Sequence, residues 1–474
     1  MVITPTTTIT STPESSRIDE ISHVKAEEIL RLFRTLHLKF YPLIYLPDTT
    51  SARELQHERP FLWLVIRAVC AQSAVEQDAL GDQVREILAK QLIVDCERSI
   101  DMLLGMLTYM GWSMYFARGK PYICAFTNLI LATASDLRLN RIVPQETTSN
   151  SSLNCFKPYA FPKPPTYASD SPKARTNEDR RAVLGCFLTV VTMSSYMKLD
   201  VARSKVTIDD CLEQLWETPE IPNDRVLVAI TRIMGVADEA VRMASRPEDT
   251  DDSISPIFHI KGLEESLKQV KRDLPPDLLD NQTVTAQLRS TEVAIYELAL
   301  SPQTSSSAYK IQDYRRREYL QMCLESAKAF MDVFLQIEPA EYCGIPLWLM
   351  IQFAHCAQAI YRLSLLDDPG WDRSAVRQFV DVLEILERAA VRMTAAHEAC
   401  GYSINGTDKG VFTRSAAALR ATIPQWSAAL EQVGAIAARP TARTNPDLPV
   451  DPMLIDFTDD TWLTDVFSSW DETR

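Results

Sequence analysis

The sequence predicts an all-α fold, and three observations carry that expectation. Apolar residues recur at three- and four-residue intervals along most of the chain, and no sustained strand-like alternation is visible. Only 13 glycines occur in 474 residues, which suits helices better than turn-rich sheets. Hydrophobic residues make up 46% and charged residues 24%, a balance that supports a sizeable globular core. The expected architecture is one large irregular domain of roughly 13 to 16 helices, spanning residues 18–435. A Thr/Ser/Pro-rich disordered tail (1–17) precedes it and an acidic, aromatic tail (436–474) follows.

The elements fall in order. Ile29, Leu30, Phe33, Leu36 and Phe40 give a first helix that Pro42 stops. Ser51 is placed to cap a helix running through FLWLVIRAVCAQSA, and Leu80 to Asp95 reads as the next. The stretch from Asp101 to Arg141 holds two apolar helices around the hinge Arg118-Gly119-Lys120-Pro121, and is expected to form the centre of the fold. In its second helix Tyr122, Phe126, Leu129, Ile130, Thr133 and Leu137 share one face. Ala125, Asn128, Ala132 and Asp136 make a slimmer face that a neighbouring helix could approach. Residues 142–175, rich in Pro, Ser, Thr and Asn, read as a long loop insertion.

Asn177 is then expected to cap a buried helix, RRAVLGCFLTVVTMSSYMKL, with Glu178 and Asp179 in its first turn. Further helices are expected at 225–245, 256–274, 281–300, 314–337, 348–366, 375–399 and 410–430. Val376, Phe379, Leu383, Leu386, Ala390 and Met393 read as one continuous stripe across 375–399. The segments share no fixed period, which argues against a regular helical-repeat array.

Two stretches carry a resemblance. An ARGKP hinge leads into an alanine-bearing helix that ends in DLRLNR (Asp136 to Arg141). After an acidic opening, Arg180, Arg181, Ala182, Leu184, Gly185, Cys186 and Phe187 follow, with Asp209-Asp210-Cys211-Leu212 as an acidic turn beyond. In chain order these resemble the regulatory "middle homology" domain of fungal zinc-cluster transcription factors, and a subgroup associated with secondary-metabolite gene clusters. The resemblance covers about residues 20–435 and implies a nuclear transcription regulator. Arg138 and Asn140 depart from the family's usual Gly and His, and Lys198-Leu199-Asp200 replaces a Gly-Arg-Pro turn. The N-terminal six-cysteine zinc cluster and basic linker of the family are not in this chain. Direct DNA reading is therefore not implied, and a DNA-bound partner factor is the alternative route to a promoter.

The charge agrees with that limit. A formal net charge of −14 does not suit a body that neutralises phosphates. The ten cysteines include no Cys-x-x-Cys, so zinc-ligand spacing is missing. They read as small hydrophobes, Cys124, Cys186 and Cys356 among them. Uncharged runs stop short of the roughly 18 to 20 residues of a membrane span, so a soluble chain is expected. Neither a catalytic residue, a metal ligand nor a cofactor motif is assigned. Asp367, Asp368 and Asp372 come nearest to a terpene-synthase magnesium motif, yet Pro369 and Gly370 break the helix that would present them. Asn223-Asp224 lacks its partners and Asp251-Asp252 sits in a polar loop. His355 and His397 read as hydrogen-bonded core histidines, and Arg315-Arg316-Arg317 as a solvated charge cluster.

From Asn445 the charged residues are acidic until Arg474, and large apolar groups lie among them. Phe457, Trp462, Leu463, Val466, Phe467 and Trp470 are the candidate contact residues, the last five at helical spacing. Mutual repulsion of the carboxylates keeps such groups exposed, ready to fold onto a coactivator groove. The competing expectation is a strap that packs its aromatics on its own domain. An all-α enzyme and a cytoplasmic helical scaffold are the alternatives for the whole chain. Homodimerisation, target genes and any small-molecule effector stay open.

Overall fold

The computed structural model describes residues 21–116, 122–139, 175–197, 205–244, 256–300, 310–402 and 410–437. All the regular secondary structure among these residues is helical, with no strand. They form eighteen α-helical segments with short 3₁₀ and π turns between. The expected N-terminal tail, the hinge 118–121, most of the 142–175 insertion and the acidic tail lie outside the described residues.

Helix α1 (His23–Leu32) passes through a π turn (Phe33–His37) into α2 (Leu38–Phe40). Ser51 caps α3 (Ala52–Glu58) in a reciprocal capping box with Glu54. The single helix expected after Ser51 is in fact two. Pro60 opens α4 (Pro60–Val69), because its missing N–H and fixed φ suit a first helical position but not an interior one. Helix α5 (Ala74–Leu88) ends in a second π turn (Ala89–Val94). Next come α6 (Ile100–Gly111), a 3₁₀ turn (Ser113–Phe116) and α7 (Ile123–Asp136).

Every residue of α6 from Asp101 to Gly111 is buried, so half of the expected central pair does occupy the middle of the molecule. In α7 the expected inner face is right: Phe126, Ile130 and Thr133 are buried. Its slim face is not packed, since Ala125, Asn128, Ala132 and Asp136 are exposed, and so is Cys124. Small side chains permitted a close neighbour there but did not require one.

The second half contains α8 (Asn177–Met197), α9 (Lys205–Glu217), α10 (Pro222–Ala244), α11 (Pro256–Asp273), the single turn α12 (Pro276–Leu279) and α13 (Gln282–Tyr296), which ends in a 3₁₀ turn (Glu297–Leu300). Helix α14 (Lys310–Phe334), a 3₁₀ segment (Pro339–Gly344), α15 (Leu347–Leu365), α16 (Arg373–Phe379), α17 (Val382–Ala399) and α18 (Val411–Ala437) complete it. Asp209 to Leu212 lie inside α9, not in a turn. The helix expected over 375–399 breaks at Val380–Asp381, where the backbone is extended and the Asp381 carboxylate caps α17. One apolar stripe runs through the break, which is why periodicity alone could not find it.

Packing passes from α4 to α6, α8, α10, α13, α14 and α15, and α15 returns to touch α6. Helices α17 and α18 lie against α15 and run antiparallel: Arg420 pairs with Glu387 at 3.2 Å, and Gly410 lies against His397. One continuous buried cluster extends from Ile29 to Leu430.

Candidate functional site

The six contact residues expected in the tail, Phe457, Trp462, Leu463, Val466, Phe467 and Trp470, lie outside the described residues. What the structure does show is how the sequence motif of α8 is used, and where the surface is recessed.

The cap of α8 is Thr176, not Asn177. The Asp179 N–H donates to Thr176 Oγ1 at 3.1 Å, and the Thr176 N–H returns to the Asp179 carboxylate at 2.9 Å. Asn177 is the first helical residue, and its carboxamide accepts from Arg180 at 2.9 Å. One turn on, Arg181 is buried at 2% exposure with a fully buried partner, Asp224 of α10. Arg181 Nε and Nη2 donate to Asp224 Oδ1 and Oδ2 at 2.6 and 3.0 Å, and Nη2 also reaches Glu220 at 2.7 Å. Asp224 further accepts the N–H groups of Glu220 and Ile221 at 2.8 and 3.2 Å, which closes the start of α10. Gly185 lets α8 meet the chain near Leu43, since a Cβ there would come within 2.3 Å of the Leu43 side chain. The Arg-Arg-Ala-Val-Leu-Gly-Cys-Phe run is therefore an anchoring motif that fixes α8 against α10.

A cavity of about 330 Å³ opens beside this anchor, lined by Leu43, Tyr45, Asn177, Glu178, Arg181 and Glu220. The guanidinium is already committed to two carboxylates, so it offers no spare positive charge to an anionic ligand there. Of the lining residues, Glu178 is engaged by Arg59 of the α3–α4 junction, which donates to it at 2.9 Å.

A larger open groove, about 840 Å³, runs between α14 and α16. Tyr314, Met322, Trp371, Val376 and Phe379 give it an apolar lining, with Arg317, Glu318 and Glu325 also contributing to its walls. Tyr314 is 70% exposed and Phe379 44%, while Trp371 is held by its indole N–H on the Leu363 carbonyl at 2.8 Å. Chemically this is a shallow, mixed surface without a converging set of reactive groups.

The aspartates nearest to a magnesium motif are spent on structure. Asp368 pairs with Arg316 and accepts the Gly370 N–H, Asp367 pairs with Arg373, and Asp372 caps α16. Arg316 is accordingly not part of a solvated cluster. Asp224 is held by Arg181, and Asp251-Asp252 lie outside the described residues. Among the described residues no group of three or more His, Cys, Asp or Glu side chains could hold a metal ion. No described helix is long and apolar enough to cross a membrane.

Sequence reasoning missed a polar thread through the interior. Gln352 of α15 donates to Gln287 of α13 at 2.7 Å, and Gln287 in turn to Thr291 at 3.2 Å. Ser326 of α14 donates to Glu292 at 3.2 Å. His355 and Glu297 meet at 2.8 Å. Burial pushes against both charges of that pair, but each partner outweighs it. The Glu297 pKa is held below the ordinary carboxylate value and the His355 pKa above the ordinary imidazole value. Apart from Gln287 and Thr291, which share α13, the partners come from different elements, so no local pattern in the sequence could announce them.

The transcription factor opdL of Penicillium oxalicum is 32% identical over 423 residues, covering 87% of this chain and 73% of that protein. A transcription factor of Aspergillus terreus is 23% identical over 76% of the chain, and transcription factor himD of Aspergillus japonicus 22% over 70%. The chain spans 54% and 55% of the length of those two. A family model described as a C-terminal domain matches residues 339–474. No solved structure matches. With that identity maintained over most of both chains, the protein belongs to the family of fungal transcription factors that includes opdL.

Proposed function

We propose that the protein regulates transcription in the fungal nucleus by contacts with other proteins, and that residues 436–474 are its activating segment. The observation that carries this reading is the 32% identity to a transcription factor across 87% of the chain. The helical body supports it by what its polar residues do. Arg181, Asp224, Asp367, Asp368 and Asp372 are all engaged in pairing helices or capping them.

The finer parts of the reading follow from charge and resemblance. A net charge of −14 favours protein partners over bare DNA, so a DNA-bound partner factor brings the chain to its promoter. Resemblance to regulators of secondary-metabolite clusters makes a biosynthetic gene cluster the expected target. Phe457, Trp462, Leu463, Val466, Phe467 and Trp470 present the apolar groups to a coactivator, with the surrounding carboxylates keeping them solvated.

The test fuses residues 440–474 to an unrelated DNA-binding domain in front of a reporter. Activation by the wild-type segment, lost when Trp462, Phe467 and Trp470 are changed together to Ala, supports the assignment. A silent wild-type fusion removes the activating role from the tail.

A further inference from the structure

Two cysteines meet where the C-terminal helices join the N-terminal ones. Cys343 lies in the 3₁₀ segment Pro339–Gly344, and Cys400 is the C-cap of α17. Cys343 Sγ is 3.7 Å from the Ala340 carbonyl oxygen, and Cys400 Sγ is 3.6 Å from the same oxygen and 3.4 Å from that of Pro339. One backbone carbonyl, that of Ala340, thus lies against both thiols. Both residues are half-buried, in contrast to Cys186, Cys211, Cys323 and Cys356, which are sealed in the core.

The surroundings give this pair leverage. Tyr115 donates its hydroxyl to the Cys343 carbonyl at 3.0 Å, and Trp112 donates its indole N–H to the Gly344 carbonyl at 3.1 Å. Gln72 donates to the Cys400 carbonyl at 3.1 Å. The backbone of both cysteines therefore bonds to residues of the first third of the chain. Gly344 also lies against the Leu36 carbonyl, with no room for a Cβ.

We propose that Cys343 and Cys400 are a reversible oxidation site, converted by hydrogen peroxide from two thiols to one disulfide. The Cys400 thiolate attacks one peroxide oxygen, breaks the O–O bond and becomes a sulfenic acid. The departing hydroxide takes a proton and leaves as water. Cys343 sulfur then attacks the Cys400 sulfur, the S–S bond forms, and the sulfenic oxygen leaves as a second water with the Cys343 proton. Two thiols are oxidised, one peroxide is reduced, and a cellular dithiol reverses the step. Cys400 is the first to react, because the neighbouring Cys343 holds its thiol below the ordinary cysteine value. The neighbouring Cys400, together with burial, pushes the Cys343 thiol up.

A thiol pair of this kind suits a reducing compartment, where disulfides are transient and serve as sensors. The bond would staple the 3₁₀ segment to the end of α17 and restrict how α17 and α18 move against the N-terminal helices.

The reduced full-length protein is treated with hydrogen peroxide at low molar excess, its remaining thiols are alkylated, and it is digested without reductant for mass spectrometry. A peptide joining Cys343 to Cys400, two hydrogens lighter than its parts and released by dithiothreitol, is the expected result. In Cys343→Ser, Cys400 should accumulate as a sulfenic acid that dimedone captures. Oxidation of the exposed Cys96 or Cys124 without the Cys343–Cys400 peptide would overturn the proposal, because the oxidant had then reached the protein and passed the pair by. The wild-type readout stands whether or not the serine variant folds.

Discussion

Arg181 and Asp224 form a two-point ion pair at 2.6 and 3.0 Å with 2% and 0% of their side chains exposed. A buried charge left without its partner is expensive, whereas an apolar pair of similar volume is often tolerated. Asp224→Ala should therefore lower unfolding stability by about 3–5 kcal/mol. The double variant Arg181→Met/Asp224→Leu should recover much of that loss in urea unfolding. A single variant as stable as wild type would show that the pair does not anchor α8 to α10.

Gly344 and Gly262 make a contrasting pair. A Cβ at Gly344 would lie 2.3 Å from the Leu36 carbonyl oxygen, and that backbone is buttressed by the π turn of residues 33–37. A Cβ at Gly262, within α11, meets nothing within 4 Å. Gly344→Ala should destabilise by about 1–3 kcal/mol through overpacking. Gly262→Ala should stabilise by roughly 0.5–1 kcal/mol through helix propensity. Thermal melts of the two variants check both signs.

Two histidines should give the stability profile opposite slopes. His37 is buried against Phe33 and Trp112, and desolvation lowers its pKa to about 4. The unfolded chain binds the proton first, so stability falls as pH drops from about 6.5 toward 4, by on the order of 3 kcal/mol. His355 works the other way. Its raised pKa means that its pairing with Glu297 is fully present below the unfolded value of about 6.5 and is lost as pH rises through the folded one. Glu297, with its lowered pKa, keeps its contribution above about 4.5 and loses it in acid. Urea midpoints against pH should show a flatter acid flank for His37→Gln. The deficit of His355→Gln should be larger near pH 6 than near pH 9. Parallel curves for all three proteins would contradict these assignments.

Asp381 starts α17 by accepting from the N–H groups of Leu383 and Glu384 at 2.9 and 3.3 Å. Asp381→Ala should cost about 0.5–2 kcal/mol, the usual loss for an N-cap. Asp381→Asn should cost much less, which separates capping from charge. Equal losses in both would point to charge alone.

The sequence was readable where chemistry is local. Ser51 announces a helix start by a side chain that accepts a free N–H group, and the structure uses it as a cap, whereas Asn177, expected in the same role, yields it to Thr176. The inner face of α7 and the burial of α6 followed from spacing. Breaks hidden under a continuous apolar stripe were not readable, as at Val380–Asp381, since core packing continues across them. Nor were pairings between distant residues: Arg181 with Asp224, His355 with Glu297 and Cys343 with Cys400 depend on which helices become neighbours. The motif around Arg181 was visible as a family signature, while its work as a buried anchor needed the fold. The contact residues of the tail rest on composition and spacing alone.

The central claim, that this chain changes transcription by touching other proteins, is tested most directly by tethering the full chain to a reporter promoter through an unrelated DNA-binding domain. The account predicts a clear rise in reporter transcript with the intact chain, lost when Trp462, Phe467 and Trp470 are all changed to Ala at equal protein level. A tethered, folded chain that leaves the transcript unchanged would contradict it.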